Sequence, residues 1–221
     1  MTSRDVLNVV CFKWRGWRSV YKSDHVNALR RMLQAHLHCE HRLICITDDP
    51  KGVECETYPL WDNPVDIAGR NNYTKLKLFD IAEQFGDRIL YLDLDCLILD
   101  DITPLVQYQD DFITLRGKKC PYNTSLMLFT AGLHKQIWKE FDPVKSPEEI
   151  SKLKYYGTDQ AWLAHILPGI KTLGREHGIY MYTQRNRNIE GARIVFFPIA
   201  TKPWQMKQHN PAIYSMYKQY L

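Results

Sequence analysis

Two aspartates close an apolar run of strand length, Arg88-Ile89-Leu90-Tyr91-Leu92-Asp93-Leu94-Asp95. Along an extended strand, alternate side chains share a face. Leu90, Leu92 and Leu94 therefore fall on one face, and Ile89, Tyr91, Asp93 and Asp95 on the other. The two aspartate Cα atoms would lie roughly 6.5–7 Å apart, one pleat repeat. Burying neighbouring carboxylates unpaired is costly. A divalent cation between them offsets that cost and suits hard oxygen ligands. A solvated acidic turn, continued by Asp100 and Asp101, is the competing reading. The position at a strand exit favours a site, because ligands of open α/β sheets gather at the carboxyl ends of strands.

Two other stretches carry candidate chemistry. Lys13-Trp14-Arg15-Gly16-Trp17-Arg18 interleaves cations with indoles. Such a loop could hold phosphates by charge and a base or sugar by stacking, or it could be solvated cations with one Trp in the core. His36, His38, Cys39 and His41 resemble a metal cluster, but His36 and Cys39 share a helix face that His38 leaves. Paired zinc spacings are missing, so a polar helix end is the simpler reading.

Elements must position these groups. Leu7–Phe12 reads as a first buried strand. Ser23 or Asp24 caps a helix to about Leu37, with Val26, Leu29, Leu33 and Leu37 as its apolar stripe. Arg42–Thr47 is a second strand and Glu54–Leu60 a third, followed by loop from Trp61 to Gly69. Asn71–Phe85 reads as a helix feeding the Asp93/Asp95 strand. Strand and helix alternate, which points to an α/β fold with a mostly parallel, mixed central sheet flanked by helices. In the second half, strands are expected at Asp111–Leu115, Ser125–Phe129, Ile179–Tyr182 and Arg193–Phe197. Helices are expected at Leu133–Phe141, from Pro147, at Thr158–Leu167 and at Pro211–Leu221.

The 221 residues are enough for one domain with a real core, and no internal repeat or linker marks a second. The expected division is a donor-binding half over about 1–100 and an acceptor half over about 101–221. With 45% hydrophobic and 24% charged residues, the composition is that of an ordinary globular chain rather than a disordered one. No apolar run approaches the roughly 20 residues of a membrane span. The net charge of +4 neither demands nor excludes an anionic partner. Six scattered cysteines without a Cys-x-x-Cys pair read as free thiols, and the N-terminus lacks a signal-peptide pattern, so the expected location is the cytoplasm.

With those segments placed, the chain resembles metal-dependent glycosyltransferases of the A-type fold, in particular the retaining glycogenin/galactosyltransferase-like group and small bacterial and phage relatives. Short matches in the right order carry the resemblance: Tyr73-Thr74-Lys75-Leu76, Tyr91-Leu92-Asp93-Leu94-Asp95, Tyr122-Asn123-Thr124-Ser125, Gly157-Thr158-Asp159-Gln160 and Lys202-Pro203-Trp204. The resemblance implies Asp93 and Asp95 as ligands of Mn²⁺ or Mg²⁺, and a uridine diphosphate (UDP) sugar as donor. It implies that Cys11, Lys13, Tyr21, Lys75, Leu94, Asn123, Lys202 and Trp204 line the donor site, with Tyr21 as the stacking candidate for the base. It assigns Asp159 to the anomeric centre, with Gln160 and Lys75 beside it. The His and Gly that the family places before Lys-Pro-Trp are absent from Phe196-Phe197-Pro198-Ile199-Ala200-Thr201, which leaves His209 as the nearest candidate for the third metal ligand.

The chemistry implied is transfer of a sugar to a hydroxyl acceptor. That acceptor is either a glycan or the hydroxymethyl group of a modified DNA base. Arg185-Asn186-Arg187 and the Lys13–Arg18 loop would serve the second by holding phosphates around a flipped base. A nucleotidyltransferase-like enzyme, or a non-catalytic nucleotide-sugar-binding module, would use the same carboxylate pair.

Overall fold

The structure is a computed structural model that describes residues 6–15, 21–61, 71–153, 155, 158–198 and 201–221. Its first strand, β1 (Leu7–Lys13), is buried at every position. Both of its faces are covered. Val9 and Cys11 enter one apolar layer, Val10 and Phe12 the other. This is what a continuous apolar run requires, and each such side chain contributes about 1.5–3 kcal/mol when fully buried.

Helix α1 (Ser23–His36) lies over the first layer through Val26, Leu29, Met32 and Leu33. Its cap differs from the expectation of Ser23 or Asp24. Lys22 is the N-cap, in extended conformation, and its backbone N–H donates to Nδ1 of His25 at 2.9 Å. The imidazole at N3 thus does what a Glu or Gln side chain does in a capping box, accepting from the N-cap backbone N–H.

Strands β2 (His41–Thr47) and β3 (Glu56–Pro59) extend the sheet on one side of β1. On the other side runs β4 (Arg88–Leu92), parallel to β1. The expected helix over 71–85 is broken into a 3₁₀ segment (Asn71–Lys77), one α turn, α2 (Leu78–Ile81), and a second 3₁₀ turn (Ala82–Gln84). Burial explains the departure. Tyr73, Thr74, Lys75 and Leu76 are consecutive and all buried, whereas a surface α-helix buries one stripe.

After β4 the chain leaves the sheet. β5 (Cys96–Ile98) belongs to a second, three-stranded sheet. Asp93 and Asp95 therefore sit in the bend between two sheets, not on one strand as expected. The face alternation still holds, since Leu90, Leu92 and Leu94 share one apolar layer and Ile89 and Tyr91 the other.

A short helix α3 (Thr103–Val106) leads into the hairpin of β6 (Phe112–Arg116) and β7 (Tyr122–Thr130). β7 runs antiparallel to both β4 and β6. Helices α4 (Gln136–Lys139), α5 (Lys145–Ser151) and α6 (Asp159–Ile166) follow. β8 (Lys171–Leu173), an edge strand not anticipated from the sequence, pairs with β6. The main sheet has the order β3-β2-β1-β4-β7-β6-β8. β9 (Ile179–Met181) and β10 (Ile194–Phe196) complete the small sheet, in the order β5-β10-β9. The last helix, α7 (Pro211–Lys218), starts at Asn210, whose side chain accepts from Ile213 N–H, and it buries Ile213 and Tyr217 in the α1 layer. Among the described residues no helix is long and apolar enough to cross a membrane.

The β6–β7 turn fixes where Tyr122–Ser125 begins. Gly117 donates its N–H to Pro121 O at 3.0 Å, and a Cβ there would stand 2.1 Å from Cys120 O and 2.5 Å from Tyr122 O. Those are backbone atoms that cannot step aside cheaply. Gly117→Ala should lower stability by roughly 2 kcal/mol. Chemical denaturation with an unchanged m-value checks it.

Candidate active site

The bend after β4 places each aspartate against a different lysine. Asp93 continues the ladder by one bond, its N–H donating to Ser125 O at 2.9 Å. Its Oδ1 accepts from Lys75 Nζ at 3.2 Å and from Tyr91 OH at 2.5 Å. Lys75 also reaches Thr124 Oγ1 at 3.3 Å and lies 3.6 Å from Asp159 Oδ2. The Thr124 hydroxyl in turn donates to Asp159. Lys75 is 8% exposed and Asp159 1%, so this end of the network is shielded from water, while Asp93 is partly exposed. Burial works against the Lys75 ammonium, but Asp93 and Asp159 outweigh it and raise its pKa. Burial raises the Asp159 pKa, and Lys75 and Thr124 only partly oppose it.

Asp95 forms the other half. Its backbone oxygen accepts from Phe197 N–H at 3.0 Å, joining the bend to the end of β10. Its Oδ2 accepts from Lys202 Nζ at 2.5 Å, and the same ammonium donates to Phe197 O at 2.9 Å. Burial, then the charge of Asp93, raises the Asp95 pKa despite Lys202. The phenol of Tyr21 faces this pair, and burial followed by Asp95 and Asp93 pushes its pKa up.

Trp204 is half-buried and held by other rings. Its indole stacks on His25, with centroids 3.7 Å apart and 16° between planes, and it meets Tyr21 edge-on at 5.8 Å. Burial lowers the His25 pKa to about 4, so the ring is neutral at pH 7. The stack pins the Lys202-Pro203-Trp204 turn to the start of α1.

The other anticipated residues are placed as follows. The Cys11 and Leu94 side chains point into the apolar layer beneath α1, which leaves only their backbone available to a ligand. Lys13 is buried and its ammonium is held by Thr47 Oγ1 at 3.5 Å and by the Asp49 carbonyl, so it ties β1 to the end of β2. Arg15 is engaged by Asp48 and Asp49. Gly16-Trp17-Arg18 and Gly157 lie outside the described residues. Asn123 Oδ1 accepts from Ser125 N–H at 2.9 Å, which fixes the side chain at the start of β7. Gln160 is half-buried next to Asp159. His209 is exposed, and among the described residues no three His, Cys, Asp or Glu side chains are grouped to hold a metal. His209 therefore does not join Asp93 and Asp95.

Three participants were missed from sequence: Tyr91, Thr124 and His25. Thr124 and Tyr91 lay inside quoted motifs, and their hydroxyls were the available signal. Nothing in the sequence linked His25 to Trp204.

The donor set fits a divalent cation of one kind. Two hard carboxylates suit Mg²⁺ or Mn²⁺, and such ions complete their shell with waters and substrate phosphates rather than an all-protein cage. Asp93 and Asp95 would hold the ion in company with a diphosphate.

No family model and no curated protein matches the sequence. Solved structures do. The galactosyltransferase LgtC, crystallised with donor and acceptor sugar analogues, superposes with a TM-score of 0.63 at 15% identity, covering 96% of this chain and 95% of that one. The glycosyltransferase GlyE of Streptococcus pneumoniae gives 0.65 at 14% identity over 98% of this chain, which spans 60% of GlyE. Mouse xyloside xylosyltransferase 1 gives 0.55 at 10% identity over 87% of this chain and 97% of that one.

Lys75→Met leaves the buried Asp159 and the partly exposed Asp93 short of a partner and should cost about 3–5 kcal/mol. Adding Asp159→Asn should recover part of that loss. A double-mutant cycle in denaturant that proves additive would contradict the pairing. With its crossover at the bend after β4, its mixed seven-stranded sheet and these likenesses over nearly its whole length, the chain has the A-type glycosyltransferase fold.

Proposed function

We propose that the chain transfers a sugar from a nucleotide diphosphate donor, a UDP-sugar, to a hydroxyl of a glycan acceptor, with Mn²⁺ or Mg²⁺ and with retention at the anomeric carbon. The observation that carries this reading is the convergence of Asp93, Asp95, Asp159, Lys75 and Lys202 at the bend between the two sheets. In such a transfer the bond from the anomeric carbon to a phosphate oxygen breaks, and the electron pair leaves with the diphosphate. The acceptor oxygen bonds to that carbon, and its proton passes to the departing phosphate oxygen. The cation, when bound, offsets charge on the leaving group.

The chain's own residues do the rest. Lys202, on a turn pinned by Trp204 and His25, places an ammonium where the diphosphate departs. Lys75 favours the ionised form of Asp159 against the burial that opposes it. An ionised Asp159 can stabilise positive charge at the anomeric carbon or bond to it transiently, as carboxylates do in retaining glycoside chemistry. Tyr21 offers its ring to the base, and Gln160 the sugar-orienting amide. We read residues 1–221 as one such domain. The six free cysteines suit a reducing cytoplasm.

A second acceptor, the hydroxymethyl group of a DNA base, is favoured by one observation. β10 lies between β9 and β5 and pairs Phe196 with Met181 on one side and Cys96 on the other, so the turn after β9 carries the exposed Arg185 and Arg187 at the aspartate end of the small sheet. Duplex binding that falls steeply with salt would favour DNA, and its absence the glycan.

The test is release of nucleoside diphosphate from the donor, followed with and without Mn²⁺. Asp95→Ala should lose about 10²-fold or more in kcat. Wild-type rates in that variant would remove the proposed role, and release of pyrophosphate would instead mean nucleotidyl transfer. Because burial raises the Asp159 pKa and the ionised form is the working one, kcat/KM should decline on the acid side at a pH above the usual carboxylate range. A pH–rate profile checks the position of that limb.

A further inference from the structure

The two lysines of the site are held differently, and the difference bears on how a cation enters. Lys75 is buried among Asp93, Asp159 and Thr124, three partners on three elements. Lys202 has one acidic partner, Asp95, and one carbonyl, Phe197 O. Its backbone is fixed, since its N–H donates to Gln205 Oε1 at 2.9 Å and Trp204 is stacked on His25. Its ammonium rides on a flexible four-carbon stem. An ammonium bonded to Asp95 Oδ2 at 2.5 Å and a divalent ion on the same carboxylate would repel each other at close range, so the two compete for Asp95.

Resting on the nucleotide-sugar reading above, we infer that Lys202 is the resident counter-ion of Asp95 in the donor-free protein, and that the donor diphosphate opens the cation site by drawing this ammonium away. The metal then does not bind first. Diphosphate and cation enter as one unit, and Lys202 couples them by exchanging one anionic partner for another. Coupling of this kind is reciprocal, so Mn²⁺ must tighten UDP binding by the factor by which UDP tightens Mn²⁺.

The experiment titrates Mn²⁺ by the electron paramagnetic resonance signal of the free ion, with and without UDP, on wild type, Lys202→Met and Lys202→Arg. Wild type without UDP should bind Mn²⁺ weakly, and UDP should strengthen binding by about tenfold or more. Lys202→Met without UDP should bind Mn²⁺ about tenfold more tightly than wild type, with a smaller gain from UDP. Lys202→Arg keeps the competing charge and should stay weak. Melting curves for each variant exclude unfolding as the cause, and the wild-type and Lys202→Arg titrations test the idea even if Lys202→Met is unstable. Equal donor-free affinity in wild type and a folded Lys202→Met overturns the inference while leaving the glycosyl-transfer reading intact. So does tight Mn²⁺ binding by wild type or Lys202→Arg without UDP. If wild type with UDP binds no Mn²⁺ yet still releases UDP from donor, both this inference and the metal role fall, and transfer itself stands.

Discussion

Everything at this site follows from one constraint: carboxylates taken out of water need positive partners close by. Asp93 and Asp95 come from one bend and Asp159 from the start of α6, and two lysines meet them. Lys75 is brought in by a segment wound tightly enough to bury four successive residues. Lys202 arrives from a position 107 residues beyond Asp95. Neither lysine could be exchanged for an apolar residue of the same shape without stranding a buried charge.

The architecture is built to make those meetings. β4 is covered on both faces, so it can run to the end of the main sheet without exposing its side chains, and then release the chain into the small sheet at Asp93–Asp95. β7 beside it lends Thr124 to the buried network and Ser125 to the backbone ladder. β10 meets the bend from the other side through Phe197. The His25–Trp204 stack then joins α1 to the closing turn, so the helix that covers one face of the sheet also positions a charged group at its edge.

How much of this was legible in the sequence can be argued from particular residues. β1 and β4 were readable because continuous apolar runs with both faces buried leave an unambiguous signature. The Asp-x-Asp stood out because two acids at a strand exit break the apolar pattern. The bend was not readable, since Leu94 and Cys96 continue the alternation of a straight strand and only the partners of β5 reveal that the sheet has changed. The 71–85 segment has apolar residues at helical spacing, but it also carries Thr74 and Lys75 inward, and inward polar residues are recognisable only once their partners are known. β8 is three residues long and gives periodicity nothing to work on. The Lys-Pro-Trp match located the closing turn, while the stacking of its Trp on His25 is a contact across 179 residues that no local pattern carries.

Among the described residues, three carboxylates share two ammonium groups, an excess of one negative charge in the cluster. The pKa directions agree: Asp95 and Asp159 are both raised although each lies against a lysine. Burial is the first cause in both, and Asp93 adds to it in both. A site that was merely structural would be expected to balance its charges, because an unmatched buried carboxylate lowers stability with nothing in return. A surplus of negative charge, gathered at the carboxyl end of a central strand and bordered by a lysine on a flexible stem, is what the cation proposed above would offset. That imbalance, more than any single residue match, separates this bend from an ordinary acidic turn.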